Sequence, residues 1–139
     1  MWIQRQISIP AKKRGYHLID KQVRSALPEL SSVQQGLLQL QVLHTSASLF
    51  ITENADPDVL VDFETILNRM VPEHQQGLLH TLEGADDMPA HIKSALLGSQ
   101  LTLQVNNGNL VMGTWQGVCL GEHRNHGGTR TIAATLISS

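Results

Sequence analysis

Residues 35–44, read as QGLLQLQVLH, alternate between apolar and amide side chains. In an extended chain Leu38, Leu40 and Val42 point to one face, and Gln39 and Gln41 to the other, because successive side chains of a strand alternate. A strand with one apolar and one polar face belongs to a sheet packed on one side and wet on the other. Antiparallel sheets tolerate that arrangement, whereas parallel sheets are covered on both faces. This run therefore argues against a parallel sheet wrapped in helices.

Further extended segments are read at residues 2–9, 16–19, 47–53, 101–105, 109–123 and 129–137. Asn107-Gly108 marks a hairpin, because both residues accept positive φ, and Gly127-Gly128 marks a second turn. Helix signals lie between the strands. Asp20 is a candidate N-cap for a short helix over 20–27. Asp56-Pro57 is a strong helix start, with Leu60, Phe63, Leu67 and Met70 as the apolar stripe. Pro89 opens another helix that runs to about Gly98. Residues 73–87 are a loop, long for a compact domain, and long ordered loops are often functional. Strands, then helices, then a predicted C-terminal antiparallel meander make an α+β pattern, with a β-sandwich as the expected architecture. With 139 residues and 41% apolar content, one domain over 1–139 is expected.

A lone cysteine, Cys119, excludes a disulfide framework within the chain. No apolar run approaches the roughly 20 residues of a membrane span, and Met1-Trp2-Ile3-Gln4-Arg5 lacks the layout of a signal peptide. A cytoplasmic protein without membrane contact is expected. The net charge of −2 conceals an asymmetry: six of ten Lys and Arg residues precede position 25, and nine of twelve acids lie between Glu53 and Asp87. That balance argues against nonspecific nucleic-acid binding, which needs a basic surface. The acid-rich middle suits a divalent cation.

Three segments carry candidate chemistry. His44-Thr45-Ser46-Ala47-Ser48 places an imidazole and hydroxyls at a strand end, where they and backbone N–H groups suit phosphate oxygens. It leads to Glu53, which no capping role explains, and to Asn54. The second is Glu83-Gly84-Ala85-Asp86-Asp87-Met88-Pro89-Ala90-His91-Ile92-Lys93. Asp86 and Asp87 stand before a helix start, where capping accounts for only one of them. With His91 they suit Mg²⁺ or Zn²⁺, although no spacing of high specificity is present. Lys93 and the helix start could hold an anion. The third is Gly113-Thr114-Trp115-Gln116-Gly117, leading to Glu122 and Arg124 on one face of a strand. His17, His74, His80 and His126 fall in or near predicted loops and are read as solvated.

HTSASL, ENADPDV, EGADDMPAHIKS and GTWQG, in this order, resemble the YjbQ family, also called the secondary thiamine-phosphate synthase family. The resemblance covers essentially the whole chain. It implies an α+β fold built on a β-sandwich, a homotrimer, and thiamine-phosphate synthase activity. That reaction joins hydroxymethylpyrimidine diphosphate to thiazole phosphate and releases pyrophosphate. Departure of pyrophosphate needs its developing charge neutralised. On this reading His44, His91 and Glu122 are the catalytic candidates. Thr45, Ser46, Ser48, Asn54, Lys93 and Arg124 would contact a phosphorylated ligand, and Glu53, Asp86 and Asp87 a divalent metal. A metal-dependent hydrolase and a noncatalytic small-anion or metabolite-binding protein are the alternatives. Many members of the family carry cysteine just before the glutamate of the last motif, where this chain has Gly121.

Overall fold

The computed structural model describes residues 1–139. In chain order the elements are β1 (Trp2–Ile9), β2 (Gly15–Leu18), α1 (Asp20–Ala26), a 3₁₀ turn (Pro28–Ser32), β3 (Gln35–Val42), β4 (Ala47–Glu53), α2 (Pro57–Met70), α3 (Asp87–Leu97), β5 (Gln100–Asn106), β6 (Asn109–Leu110), β7 (Gln116–Glu122) and β8 (Arg130–Ser138). Five strands form one sheet in the order β1-β8-β3-β5-β6, and three form another in the order β2-β7-β4. Every pairing is antiparallel. No helix is long and apolar enough to cross a membrane.

The inner faces of the two sheets share one core of 20 buried residues. Leu38, Leu40 and Val42 of β3 enter it beside Ile132, Ala134 and Leu136 of β8, and meet Leu49, Val118 and Leu120 of the smaller sheet. Ile19, Val23, Leu27 and Leu30 close one flank. Each Leu, Ile and Val side chain among them gains roughly 1.5–3 kcal/mol on leaving water. The outer face of the larger sheet stays polar but uncharged, with Gln39 bonded to Gln100 across the β3–β5 ladder. The small sheet is covered on its other face: Phe63 of α2 packs on Tyr16 and Phe50, and Ser94 of α3 donates to the Ala47 carbonyl.

The C-terminal meander is not formed. The hairpin at Asn107-Gly108 is present, with φ of 50° and 76°. After it the chain leaves the sheet: β7 lies between β2 and β4, and β8 returns to sit between β1 and β3. Residues 117–122 are buried on both faces, and a strand buried on both faces belongs at the centre of a covered sheet. Gly117 and Gly121 make that cover possible. A Cβ at Gly121 would collide with Ser48 Oγ and press on His123, so the space a cysteine would need there is filled.

Local differences are small. Asp56 caps α2 by accepting from the Asp58 amide at 2.9 Å. Asp20 does not cap α1; both its oxygens accept from the Val118 amide, tying the helix start to β7. Helix α3 begins at Asp87, two residues before Pro89, which is tolerated in a first turn whose N–H groups have no helical partner.

Candidate functional site

The loop between α2 and α3 folds back over the first turn of α3. His80 and Glu83 come from the loop, and Asp87 and His91 from the helix, where a spacing of four puts them on one face. One ligand atom from each of the four lies within 4.8 Å of the others. His80 Nε2 is 2.6 Å from Asp87 Oδ2 and 3.0 Å from Glu83 Oε2. His91 Nε2 is 3.1 Å from the same Asp87 oxygen.

His91 Nδ1 lies 2.9 Å from the Thr45 carbonyl oxygen. A carbonyl only accepts, so Nδ1 carries the proton and Nε2 of the neutral ring presents a lone pair to Asp87. Two lone pairs meet there unless a proton or a cation stands between them. This is the usual arrangement of a metal-binding histidine, whose second nitrogen donates to a carbonyl or carboxylate.

Arg124 orients the carboxylates from behind. Its Nη1 donates to Asp87 Oδ1 at 2.6 Å, its Nε to Asp86 Oδ2 at 2.9 Å, and its Nη2 to the Glu83 carbonyl at 2.9 Å. Asp87 is thus held by one oxygen and offers the other to the imidazoles. Burial pushes the Asp87 carboxyl up, but bonding to His80 and the charge of Arg124 more than offset this and hold it below the usual range. The bond to Asp87 and the neighbouring carboxylates raise His80.

A cleft of about 370 Å³ adjoins this cluster, lined by His44, Thr45, His91, Ser94, Gly98 and Ser99 among others. His44 Nε2 accepts from the Thr131 amide at 2.9 Å, so its proton is on Nδ1. Burial, then the charge of Arg130, lowers its pKa and keeps the ring neutral. His44 and His91 therefore share one ligand-sized space.

The remaining candidates divide by position. Glu122 is fully buried. Its oxygens accept from Arg130 Nε at 2.8 Å, Arg130 Nη2 at 2.6 Å and the Arg124 amide at 3.1 Å. Arg130 also reaches the Ser46 carbonyl and hydroxyl. Glu122 thus anchors the floor behind the cleft and has no free oxygen toward it, which corrects the expectation of a base. Ser48 is buried and bonded to His123 Nε2 at 2.9 Å. Burial, then the charges of Lys93, Arg130 and Arg14, pushes His123 down to about 3. Lys93 is buried too, its Nζ 2.6 Å from Asn68 Oδ1, and burial lowers its pKa. Neither Lys93 nor Arg124 offers an uncommitted charge to the cleft.

Glu53 and Asn54 are not part of this group. They lie at the far end of β4 from Ser46, roughly 20 Å away at about 3.3 Å per residue. Asn54 there donates to the Thr114 and Gln116 carbonyls, holding the loop of Trp115. Sequence reading missed His80 and Glu83. The signal was the spacing H-x₂-E-x₃-D-x₃-H from His80 to His91, which a loop assignment hides.

A family model described as "UPF0047 protein YjbQ-like" matches residues 5–139. The UPF0047 protein YjbQ of Salmonella typhimurium is 52% identical over 136 residues, covering 98% of both chains. Among solved structures, a conserved hypothetical protein from Thermus thermophilus superposes with a TM-score of 0.83 at 34% identity, covering 96% of this chain and 99% of its own. A protein of unknown function from Sulfolobus solfataricus reaches a TM-score of 0.86 at 21% identity, covering 100% of this chain and 99% of its own, which is a likeness of fold. With a match over nearly its full length and a relative of such identity, the chain belongs to the YjbQ (UPF0047) family.

Proposed function

We propose that the chain is a metal-dependent enzyme acting on a phosphorylated small molecule. A divalent ion held by His80, Glu83, Asp87 and His91 would neutralise phosphoryl charge, while the ligand occupies the cleft between His44 and His91. The observation that carries this reading is the four-residue cluster within 4.8 Å at the mouth of a ligand-sized cleft. Because Lys93 and Arg124, the cationic candidates near the cleft, are committed elsewhere, a bound metal would be the source of positive charge there. Two imidazoles with two carboxylates favour Zn²⁺ over Mg²⁺, which prefers oxygen ligands and water. His44, neutral with Nδ1–H free, would donate to an oxygen of the bound ligand.

The reaction that fits the family resemblance is thiamine-phosphate synthesis, with pyrophosphate leaving from hydroxymethylpyrimidine diphosphate as thiazole phosphate attacks. A cytoplasmic homotrimer is the form proposed to carry it out. The test is to load the purified protein with Zn²⁺ or Mg²⁺ and supply both substrates, then each alone. Thiamine phosphate and pyrophosphate released together, only with both substrates and only with metal, support the coupling. Phosphate or pyrophosphate released from one substrate and water supports the second reading, a metal-dependent hydrolase. That reading is favoured by the scarcity of free cations to hold a diphosphate. Tight metal-dependent binding of ligand with no turnover of any substrate would leave a noncatalytic binder and defeat the enzyme reading.

A further inference from the structure

Helix α2 supplies no ligand to the metal cluster, yet a half-buried polar network runs from it to every segment that does. Its hub is Arg14, at the turn before β2, with a side chain 18% exposed. Arg14 Nε donates to Glu64 Oε1 at 3.0 Å and Nη2 to Asn68 Oδ1 at 2.7 Å, both on α2. Its Nη1 donates to Glu73 Oε1 at 2.7 Å and to Asn125 Oδ1 at 3.2 Å.

A residue that only fastened α2 to the small sheet would need Glu64 and Asn68 alone. The other two bonds leave the helix. Glu73 stands at the root of the loop that carries His80 and Glu83. The chain turns at once beyond it, with φ of 59° at His74 and 84° at Gly77. A left-handed residue with a Cβ is uncommon, and a fixed neighbour helps to hold His74 there. Asn125 follows Arg124, and its amide donates to Asp86 Oδ2 at 2.9 Å, the oxygen that Arg124 also holds.

A third route passes through Asn68. Its Oδ1 accepts from Arg14 and, at 2.6 Å, from Lys93 Nζ, while its Nδ2 donates to Glu64 at 2.9 Å. Two cations on one oxygen leave this amide a single orientation. Lys93 is buried on α3, two residues past His91. The network pairs two cations, Arg14 and Lys93, with two carboxylates, Glu64 and Glu73, and keeps no charge for a ligand.

We propose that Arg14 is a positioning residue of the metal centre. It bonds to none of the four ligands. By fixing Glu73, Asn125 and, through Asn68, Lys93, it sets the loop half, His80 and Glu83, against the helix half, Asp87 and His91. A planar fork of five donors can reach all four acceptors; an ammonium cannot. This role rests on the metal site proposed above.

The test is titration of the metal-free protein with Co²⁺, a stand-in for Zn²⁺ whose visible absorption depends on ligand number and symmetry. Arg14→Met should weaken Co²⁺ binding about tenfold or more, as for loss of an outer partner, and alter the absorption band. Arg14→Lys should recover much of the Tm but neither the affinity nor the band. Should Arg14→Met fail to fold, Glu73→Ala cuts the loop arm alone and should give the same loss with a small fall in Tm. Folded variants with wild-type affinity and spectrum would make Arg14 a fastener of α2 and overturn the proposal. Full recovery of affinity in Arg14→Lys would overturn it too, because charge alone would then suffice. A wild-type protein that takes up no Co²⁺, or keeps its uptake after His80→Ala/His91→Ala, would instead overturn the metal centre, and this role with it.

Discussion

The Nδ1 proton of His91 is given to the carbonyl of Thr45, 2.9 Å away, which joins α3 to the start of β4 and turns Nε2 toward Asp87. Replacing His91 with Ala should remove a ligand and its orientation together. We expect Zn²⁺ affinity to fall by about two orders of magnitude or more, given that loss of an outer partner alone costs about 10–100-fold. Without metal the neutral ring makes one hydrogen bond, to the Thr45 carbonyl, worth roughly 1 kcal/mol, so the apo protein's Tm should drop by only a few degrees. Competition with a chelating dye and a thermal melt check both. An unchanged affinity would remove His91 from the centre.

Arg124 reaches the centre through Asp87. Arg124→Gln should weaken Zn²⁺ binding about 10–100-fold and cost stability toward the lower end of the roughly 3–5 kcal/mol for breaking a buried pair, because its side chain is a quarter exposed. Arg124→Lys should recover part of the stability but less of the affinity, since an ammonium cannot span Asp86, Asp87 and the Glu83 carbonyl at once. Equal recovery of both would make Arg124 purely structural.

Glu122 and Arg130 form a closed buried pair. Glu122→Gln should destabilise the fold by about 3–5 kcal/mol by leaving Arg130 charged and unpaired. The double change Glu122→Leu/Arg130→Met should cost less than either single change. Urea titrations of the four proteins give the coupling directly. Full stability with impaired turnover in Glu122→Gln would restore it as a base.

His123 gives the protein an acid-sensitive core. Its folded pKa is pushed down to about 3 by burial and by nearby cations, whereas the unfolded residue titrates near 6.5. Below that value the unfolded chain binds a proton that the folded one refuses. Stability should therefore fall as pH drops from about 6.5 toward 3, by up to about 1.4 kcal/mol per pH unit from this group. His123→Gln should flatten that slope by about one proton in urea melts across the range. An unchanged slope would assign the acid sensitivity to other groups.

Gly121 is required by packing, since its backbone is ordinary extended chain and a Cβ would strike Ser48 Oγ. Gly121→Ala should cost about 1–3 kcal/mol as overpacking, and Ser48→Ala in the same chain should relieve part of it. Denaturant unfolding of the three variants measures the relief. Additive costs would place the clash elsewhere.

Most elements were legible because their signals are local. The alternation of Leu38, Leu40 and Val42 and the Asp56-Pro57 cap each act within a few residues, and both elements formed at or near the expected bounds. The exchange of β7 and β8 between sheets was not legible. A turn signal tells where the chain reverses but not which edge it then joins, and only the two-sided burial of 117–122 decides that. The candidate site follows the same division. His91 and Asp87 share a helix face and could be paired by counting. His80 and Glu83 are brought in by a loop whose path depends on Arg124, from a strand end 41 residues after Glu83. Glu53 has its position set by the length of β4, which carries it to the other end of the molecule.

The place of β8 has a consequence for how this protein is made. It is the last strand in the chain, yet it fills the gap between β1 and β3, and β1 has no other neighbour. Trp2 pairs with Ile137 and Ile9 with Arg130, so β1 must wait for a strand far later in the chain. Until Arg130–Ser138 is translated, the Gln-rich β3 and the stranded β1 both present unpaired ladders to their surroundings. Contacts this distant in sequence slow folding and expose strand edges meanwhile. A chain in which Arg130–Ser138 has not yet docked is thus the form most prone to aggregation, because it leaves one edge of β3 and the whole of β1 unpaired.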